Sequence, residues 1–218
     1  MAILLCIETA TTNCSVALSV NGSVIALKED RSNRYSHAEQ LHVFINLVLE
    51  EAGVGKEQLD AVVVSKGPGS YTGLRIGVSA AKGLCYALDK PLVSVSTLRA
   101  LAGQVKGTEY IVPMLDARRM EVYAAVFGAQ YELLRETQAE IVDESSFGDY
   151  LQQGPTTFIG SGVEKFQKLV THENAKYVED AMPSSSDLAP IAEEKFMKRD
   201  FGDVAYFEPY YLKDFVKG

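Results

Sequence analysis

The sequence predicts an α/β chain built as two domains, each a βββαβα unit in which helices cover a mixed sheet. Short apolar runs alternate with segments of helical period, the pattern of sheets with parallel segments lying under helices. The order of three strands followed by alternating helix and strand occurs twice along the 218 residues. Charge divides with that pattern. Up to Thr108 there are 10 basic residues against 9 acidic, but from Glu109 onward 11 against 20, within an overall net charge of −8. The domains are therefore placed at 1–106 and 107–218, with the last helix free to pack back on the first domain.

The first three strands are Ala2–Ile7, Cys14–Val20 and Ser23–Lys28. Asn21 and Gly22 between the last two favour the positive φ angles of a type I′ turn, so the pair reads as a hairpin. The uncharged run Thr9–Leu27 is consequently two strands and a turn rather than a membrane helix, and its early hydroxyls and Asn13 agree. From Ser36 to Ala52 the apolar positions Ala38, Leu41, Ile45, Val48, Leu49 and Ala52 follow helical spacing. Ser36 and Glu39 resemble a capping box, and Gly53 is the stop. Val43 and Leu47 lie off that stripe and form a second apolar strip that the helix's own core does not need. A β-branched run at Ala61–Ser65, a loop at Lys66–Ser70, a helix over Tyr71–Leu88, a strand at Leu92–Val95 and a helix over Thr97–Val105 complete the first half. The second half predicts strands at Tyr110–Leu115, Glu121–Phe127 and Tyr131–Thr137. A helix near Ser145–Gln152, a strand at Thr156–Ile159 and a helix near Val163–Leu169 follow. A short strand near Tyr177 and a helix over Asp187–Lys198 end the pattern. Duplication of one unit is implied by order alone, since no residue-level repeat is visible.

Composition narrows the function. Hydrophobic residues make up 47% and charged residues 23%, the mix of a globular protein rather than a disordered one. A net charge of −8 argues against a chain that grips nucleic-acid phosphates unaided. Cys6, Cys14 and Cys85 contain no CxxC pair, which excludes a zinc ribbon and a disulfide framework and leaves buried thiols. The amino terminus has no basic n-region, so cytoplasmic residence is expected.

Chemistry-bearing residues are few. Lys66-Gly-Pro-Gly-Ser-Tyr-Thr-Gly enters a helix amino terminus, where free amides and the helix dipole favour an anion, but it is neither a Walker A loop nor a GxGxxG turn. Gly73 and Gly77 lie one turn apart in the following helix. Glycine there is costly unless something approaches the backbone, and that something is either the chain's own sheet or a partner. His37 and His42 are five apart, about 140° around a helix, and so do not form a zinc pair. No GxSxG elbow is present, and no cysteine has a neighbouring histidine. Two acids stand at strand ends: Glu8 before Thr9 and Thr11, and Asp116 before Arg118. Equivalent carboxylates of that kind either cap turns or face a cleft that holds a metal nucleotide.

Four stretches together resemble the TsaB (YeaZ) family over essentially the whole chain. They are Ile3-Leu-Leu-Cys-Ile-Glu-Thr-Ala-Thr, Gly67-Pro-Gly-Ser-Tyr-Thr-Gly-Leu-Arg-Ile-Gly, Leu115-Asp-Ala-Arg-Arg-Met-Glu-Val-Tyr and Pro209-Tyr-Tyr-Leu. The resemblance implies the actin, sugar kinase and chaperone ATPase fold. It also implies a non-catalytic subunit in threonylcarbamoyladenosine modification of tRNAs reading A-starting codons. In the family the catalytic paralogue is TsaD, a further ATPase, TsaE, joins, and the free subunit is a homodimer. TsaD's metal-binding histidine pair, four apart, and its serine, double-glycine, histidine phosphate loop are both missing from this sequence, which agrees with a degenerate paralogue, and its acidic second half implies that tRNA is met only through the complex. The helices of the first domain are then expected to carry the partner contact, with Val43, Leu47, Tyr71, Gly73, Leu74, Arg75, Gly77 and Val78 as candidates. A degenerate nucleotide cleft would use Glu8, Thr9, Thr11, Asp116, Arg118, Gly160 and Gly162, taking ATP or ADP with magnesium at a complex interface if it takes them at all. The alternative of the same fold is an ATP-dependent phosphotransferase or ATPase; a glycoprotease is disfavoured by the histidine spacing.

Overall fold

In the computed structural model, residues 2–32 and 36–213 are described. Strands β1 (Ile3–Glu8), β2 (Cys14–Val20) and β3 (Ser23–Asp30) form an antiparallel meander. Asn21 and Gly22 turn between β2 and β3 at φ 50° and 74°, the conformation their side chains favour. Helix α1 (His37–Ala52) leads through a short 3₁₀ turn at Lys56–Gln58 to β4 (Ala61–Ser65). Helix α2 (Tyr71–Leu88), β5 (Leu92–Val95) and α3 (Thr97–Ala102) follow. The pattern then restarts with β6 (Tyr110–Asp116), β7 (Glu121–Gly128), β8 (Leu133–Ile141), α4 (Gly148–Gln153), β9 (Thr156–Ile159), α5 (Val163–Phe166), β10 (Ala175–Val178) and α6 (Ser185–Met197).

The two five-stranded sheets run β3-β2-β1-β4-β5 and β8-β7-β6-β9-β10, the same order with the same mixture of antiparallel and parallel pairs. Duplication is therefore a property of topology, as the βββαβα pattern predicts. The chain divides into two compact units, Met1–Ala100 with Pro183–Tyr211 and Leu101–Met182 with Leu212–Gly218. The sequence places the second domain at 107–218, with its last helix free to pack on the first; of these residues 214–218 lie outside the described ones. The reason for the different partition is apolar surface. Leu188, Ala189 and Ala192 of α6 cover one face of the first sheet with Leu4, Cys6, Val63 and Val93.

Both faces of that first sheet are covered, which explains why β1 reads as an unbroken apolar run. Leu5 and Ile7 point to α1 and α2 with Leu41, Ile45, Val48 and Val78, whereas Leu4 and Cys6 point to α6. In the second unit the core gathers Met114, Val126, Phe147, Phe158 and Phe166, with the last three rings in mutual contact.

Local departures have local causes. Ser36 does not make the expected capping box; its hydroxyl donates to the Asp30 carboxylate at 2.7 Å, a charged acceptor that outcompetes the helix amide. Ala38 is exposed, so the buried stripe of α1 begins at His37 and continues with Leu41. Tyr131 belongs to a turn with φ 62°, not to β8, because its amide donates to the Gly128 carbonyl. No described helix is long and apolar enough to cross a membrane.

Candidate functional site

The loop Thr9–Asn13 after β1 is stitched to α2 and its preceding turn. The Ala10 carbonyl accepts from the Ser70 amide at 2.7 Å, and the Thr9 hydroxyl donates to the Gly73 carbonyl at 2.8 Å. A methyl group on Gly73 would lie 2.1 Å from the Thr9 carbonyl oxygen, and one on Gly77 would lie 2.2 Å from Thr9 Oγ1. The glycines of α2 thus exist because this loop lies against the helix, and not, as the sequence suggests, because the sheet or a partner does. Leu74 and Val78 are likewise buried in the first unit's core. Of the eight residues expected at a partner contact, Gly73, Leu74, Gly77 and Val78 are consequently occupied within the chain itself. Val43, Leu47, Tyr71 and Arg75 remain accessible to varying degrees.

Those four lie on α1 and α2. Val43 is 48% exposed and Leu47 38%, both large apolar side chains on α1. Between α1 and α2 runs an open groove of about 600 Å³, lined by Ala38, His42, Arg75, Ile76, Ala80 and Leu84 among others. The segment after α6 crosses α2 at one end of it. Lys82 Nζ donates to the carbonyls of Ala205 and Phe207 at 3.1 and 3.0 Å, and the Tyr210 amide to the Lys66 carbonyl at 2.7 Å. The Arg75 guanidinium lies 4.0 Å from the Tyr71 ring centre and donates to Tyr211 Oη, while the Tyr71 and Tyr211 rings stand 4.9 Å apart. A cluster of two tyrosines and an arginine beside an apolar groove is the composition that binding hot spots favour. The Tyr211 contribution was not foreseen from sequence, although the Pro209-Tyr-Tyr-Leu motif marks it.

The residues proposed for a nucleotide cleft fall into two sets, one in each unit. Glu8 is fully buried at the polar end of the sheet face under α6. Its Oε1 accepts from the Ala10 amide at 2.6 Å, and its strand partner Ser15 bonds Ser185 Oγ at 2.6 Å. Burial, aided by the Asp187 charge, raises the Glu8 carboxyl to about 7 against hydrogen bonds from Ala10 and Ser65 that lower it. Thr9 is spent on Gly73, and the Thr11 carbonyl accepts from His37 Nε2 at 2.7 Å. That bond, with burial, holds the His37 ring in place, and burial lowers its basicity.

In the second unit Asp116 accepts the Arg118 amide at 2.7 Å and the ammonium of Lys165, while the Asp116 amide donates to Ser161 Oγ at 3.1 Å. Gly160, at φ 114°, brings the 160–162 turn against β6, where a methyl group would meet the Met114 carbonyl oxygen at 2.4 Å. The Gly162 amide donates to that same oxygen. Asp116, Arg118, Gly160 and Gly162 are therefore brought together, and the contacts that explain them are to their own strand and to Lys165. Among the described residues no cluster of three or more histidine, cysteine or acidic side chains could hold a metal ion.

Comparison with known proteins adds an independent line. A family model described as TsaD, tRNA N6-adenosine threonylcarbamoyltransferase, matches residues 31–215. The tRNA threonylcarbamoyladenosine biosynthesis protein TsaB of Escherichia coli is 31% identical, across 98% of this chain and 95% of that protein. The Haemophilus influenzae protein of the same name is 27% identical, across 98% and 94%. Among solved structures, YeaZ from Pseudomonas aeruginosa superposes with a TM-score of 0.86 at 26% identity, covering 97% of this chain and all 100% of that one. Matched from end to end by these relatives and over most of its length by the TsaD family model, the chain belongs to the TsaB (YeaZ) family.

Proposed function

We propose that the chain is a non-catalytic subunit for threonylcarbamoyladenosine modification of tRNAs reading A-starting codons, acting as scaffold and activator of a TsaD-type transferase. The observation that carries this reading is the surface of the first unit: exposed Val43 and Leu47, the apolar groove between α1 and α2, and the clustered Tyr71, Arg75 and Tyr211 at its end. Buried apolar area with aromatic and arginine anchors is what a stable protein partner requires. The partner seated there is the TsaD-type paralogue in the working complex and a second copy of the chain when it is alone. TsaE joins that complex, and the partner carries the main tRNA-binding surface. Support for the absence of chemistry comes from the two acids. Glu8 is sealed from solvent, and Asp116 is already neutralised by Lys165, which a magnesium nucleotide would have to displace.

The test is a reconstituted modification reaction with TsaD-type and TsaE-type partners and the adenylate-forming enzyme. Gly83 lines the groove, and a Cβ added there meets nothing outside its own helix turn within 4 Å. Gly83→Leu therefore leaves the monomer folded, and gains up to about 1 kcal/mol of helix propensity, but fills the groove. Loss of pairing and of modification is expected. Full modification without the chain, or ATP turnover by the chain alone that Asp116→Ala abolishes, would transfer the case to the phosphotransferase or ATPase reading.

A further inference from the structure

The turn between β6 and β7 departs from the residue preferences obeyed elsewhere in the chain. Arg118 and Arg119 hold φ of 71° and 51°, the consecutive pair of left-handed residues in which neither is a glycine. In the β2–β3 turn the same left-handed pair is Asn21 and Gly22, the residues for which that backbone is cheap. Strain of this kind persists only where surrounding structure over-determines it, and its usual location is a binding site.

Lys165 supplies the over-determination. Its largely buried ammonium donates to the Asp116 carboxylate, to the Arg119 carbonyl at 2.7 Å and to the Glu121 carbonyl at 3.0 Å, so all three of its protons hold the base of the turn. The Ala117 amide and the Glu121 carbonyl close it. Charge is then left over. Asp116 is paired with Lys165, Glu121 with Lys213, and Glu164 with Lys168. Among the described residues neither exposed arginine has an acidic partner. Two unpaired guanidiniums are therefore displayed on a rigid tip in the half of the chain that is otherwise the more acidic. The guanidinium fork matches phosphate oxygens in pairs.

We propose that the Arg118–Arg119 turn is a direct contact for the phosphodiester backbone of tRNA within the modification complex. This rests on the functional reading above and adds to it a place where the scaffold itself touches the substrate. A polyanion repelled by the rest of the acidic half would be admitted at this tip.

The experiment measures binding of an unmodified tRNA transcript to the complex of this chain with its TsaD-type partner, across a salt series. The variant is Arg118→Asn/Arg119→Gly, which puts at the turn the residues its backbone prefers. It is expected to be at least as heat-stable as the natural chain and to assemble normally. The slope of log affinity against log salt should fall by about 1.4 to 1.8, corresponding to two phosphates. The affinity advantage of the natural complex should accordingly shrink about tenfold between 50 and 200 mM salt, at the same slope per phosphate. Arg118→Lys/Arg119→Lys should keep the slope. An unchanged slope in the asparagine–glycine variant overturns the proposal. So does loss of assembly, which would make the turn a protein contact, and so does loss of ATP binding with tRNA binding intact. Failure of the underlying functional reading has a different signature: modification would then proceed without the chain, whereas failure of the turn alone leaves the chain required.

Discussion

Glu8→Gln keeps the shape of a fully buried side chain and removes its ability to ionise. The carboxamide oxygen can accept the Ala10 amide as Oε1 does, and the new NH2 group takes the place of the buried Oε2. In the folded chain the Glu8 carboxyl is raised from the ordinary 4.5 to about 7, chiefly by burial and then by Asp187. At 1.36 kcal/mol per tenfold change, ionising it inside the protein costs about 3 kcal/mol. The direction follows from proton binding. The native state takes up a proton more readily than the unfolded chain, so the cost is absent below pH 4.5, grows as pH rises from 4.5 to 7, and is complete above 7. The variant should therefore be similar in stability to the natural chain near pH 4.5 and more stable by up to about 3 kcal/mol at pH 8. Urea unfolding of both proteins at four pH values between 4.5 and 8, compared as a difference, isolates Glu8 from the other carboxylates. A difference that does not change with pH, or one that narrows as pH rises, would refute the argument that burial dominates this site.

Two further outcomes follow from the packing. Gly77→Ala should destabilise the first unit by about 2 to 4 kcal/mol, because its methyl group displaces Thr9 Oγ1 and with it the buried bond to the Gly73 carbonyl; retained thermal stability would show that the loop yields cheaply. Burial raises the Cys6 thiol to about 12 and those of Cys14 and Cys85 to about 11, so an aromatic disulfide reagent at pH 8 should label them only at the rate of unfolding, and rapid labelling of the native chain would contradict the burial described.

Much of the architecture was legible because its signals are local. The bounds of β2, β4, β5, β9 and α2 coincide with the runs and periods that predict them, and Asn21-Gly22 and Gly53 carry their backbone conformations in their own chemistry. Ser36 failed as a cap because its hydroxyl prefers the Asp30 carboxylate, a group on another element. The apolar strip of Val43 and Leu47 was readable from helical spacing alone, since it needs only the angle between side chains. The identity of what approaches Gly73 and Gly77 was not, because the Thr9 loop reaches α2 across more than sixty positions of sequence.

The order of elements, their duplication and the family are readable in one dimension, since period, turn chemistry and motif spacing are written within short windows. Tertiary structure decided which of the singled-out residues face outward. Glu8 looks like a carboxylate facing a nucleotide cleft until β1 pairs with Ser15 and α6 closes over it, and Asp116 looks free until Lys165 arrives from a helix. Burial and charge pairing depend on the sum of distant neighbours in space, so the same carboxylate type is a candidate site in one dimension and a packed, neutralised group in three.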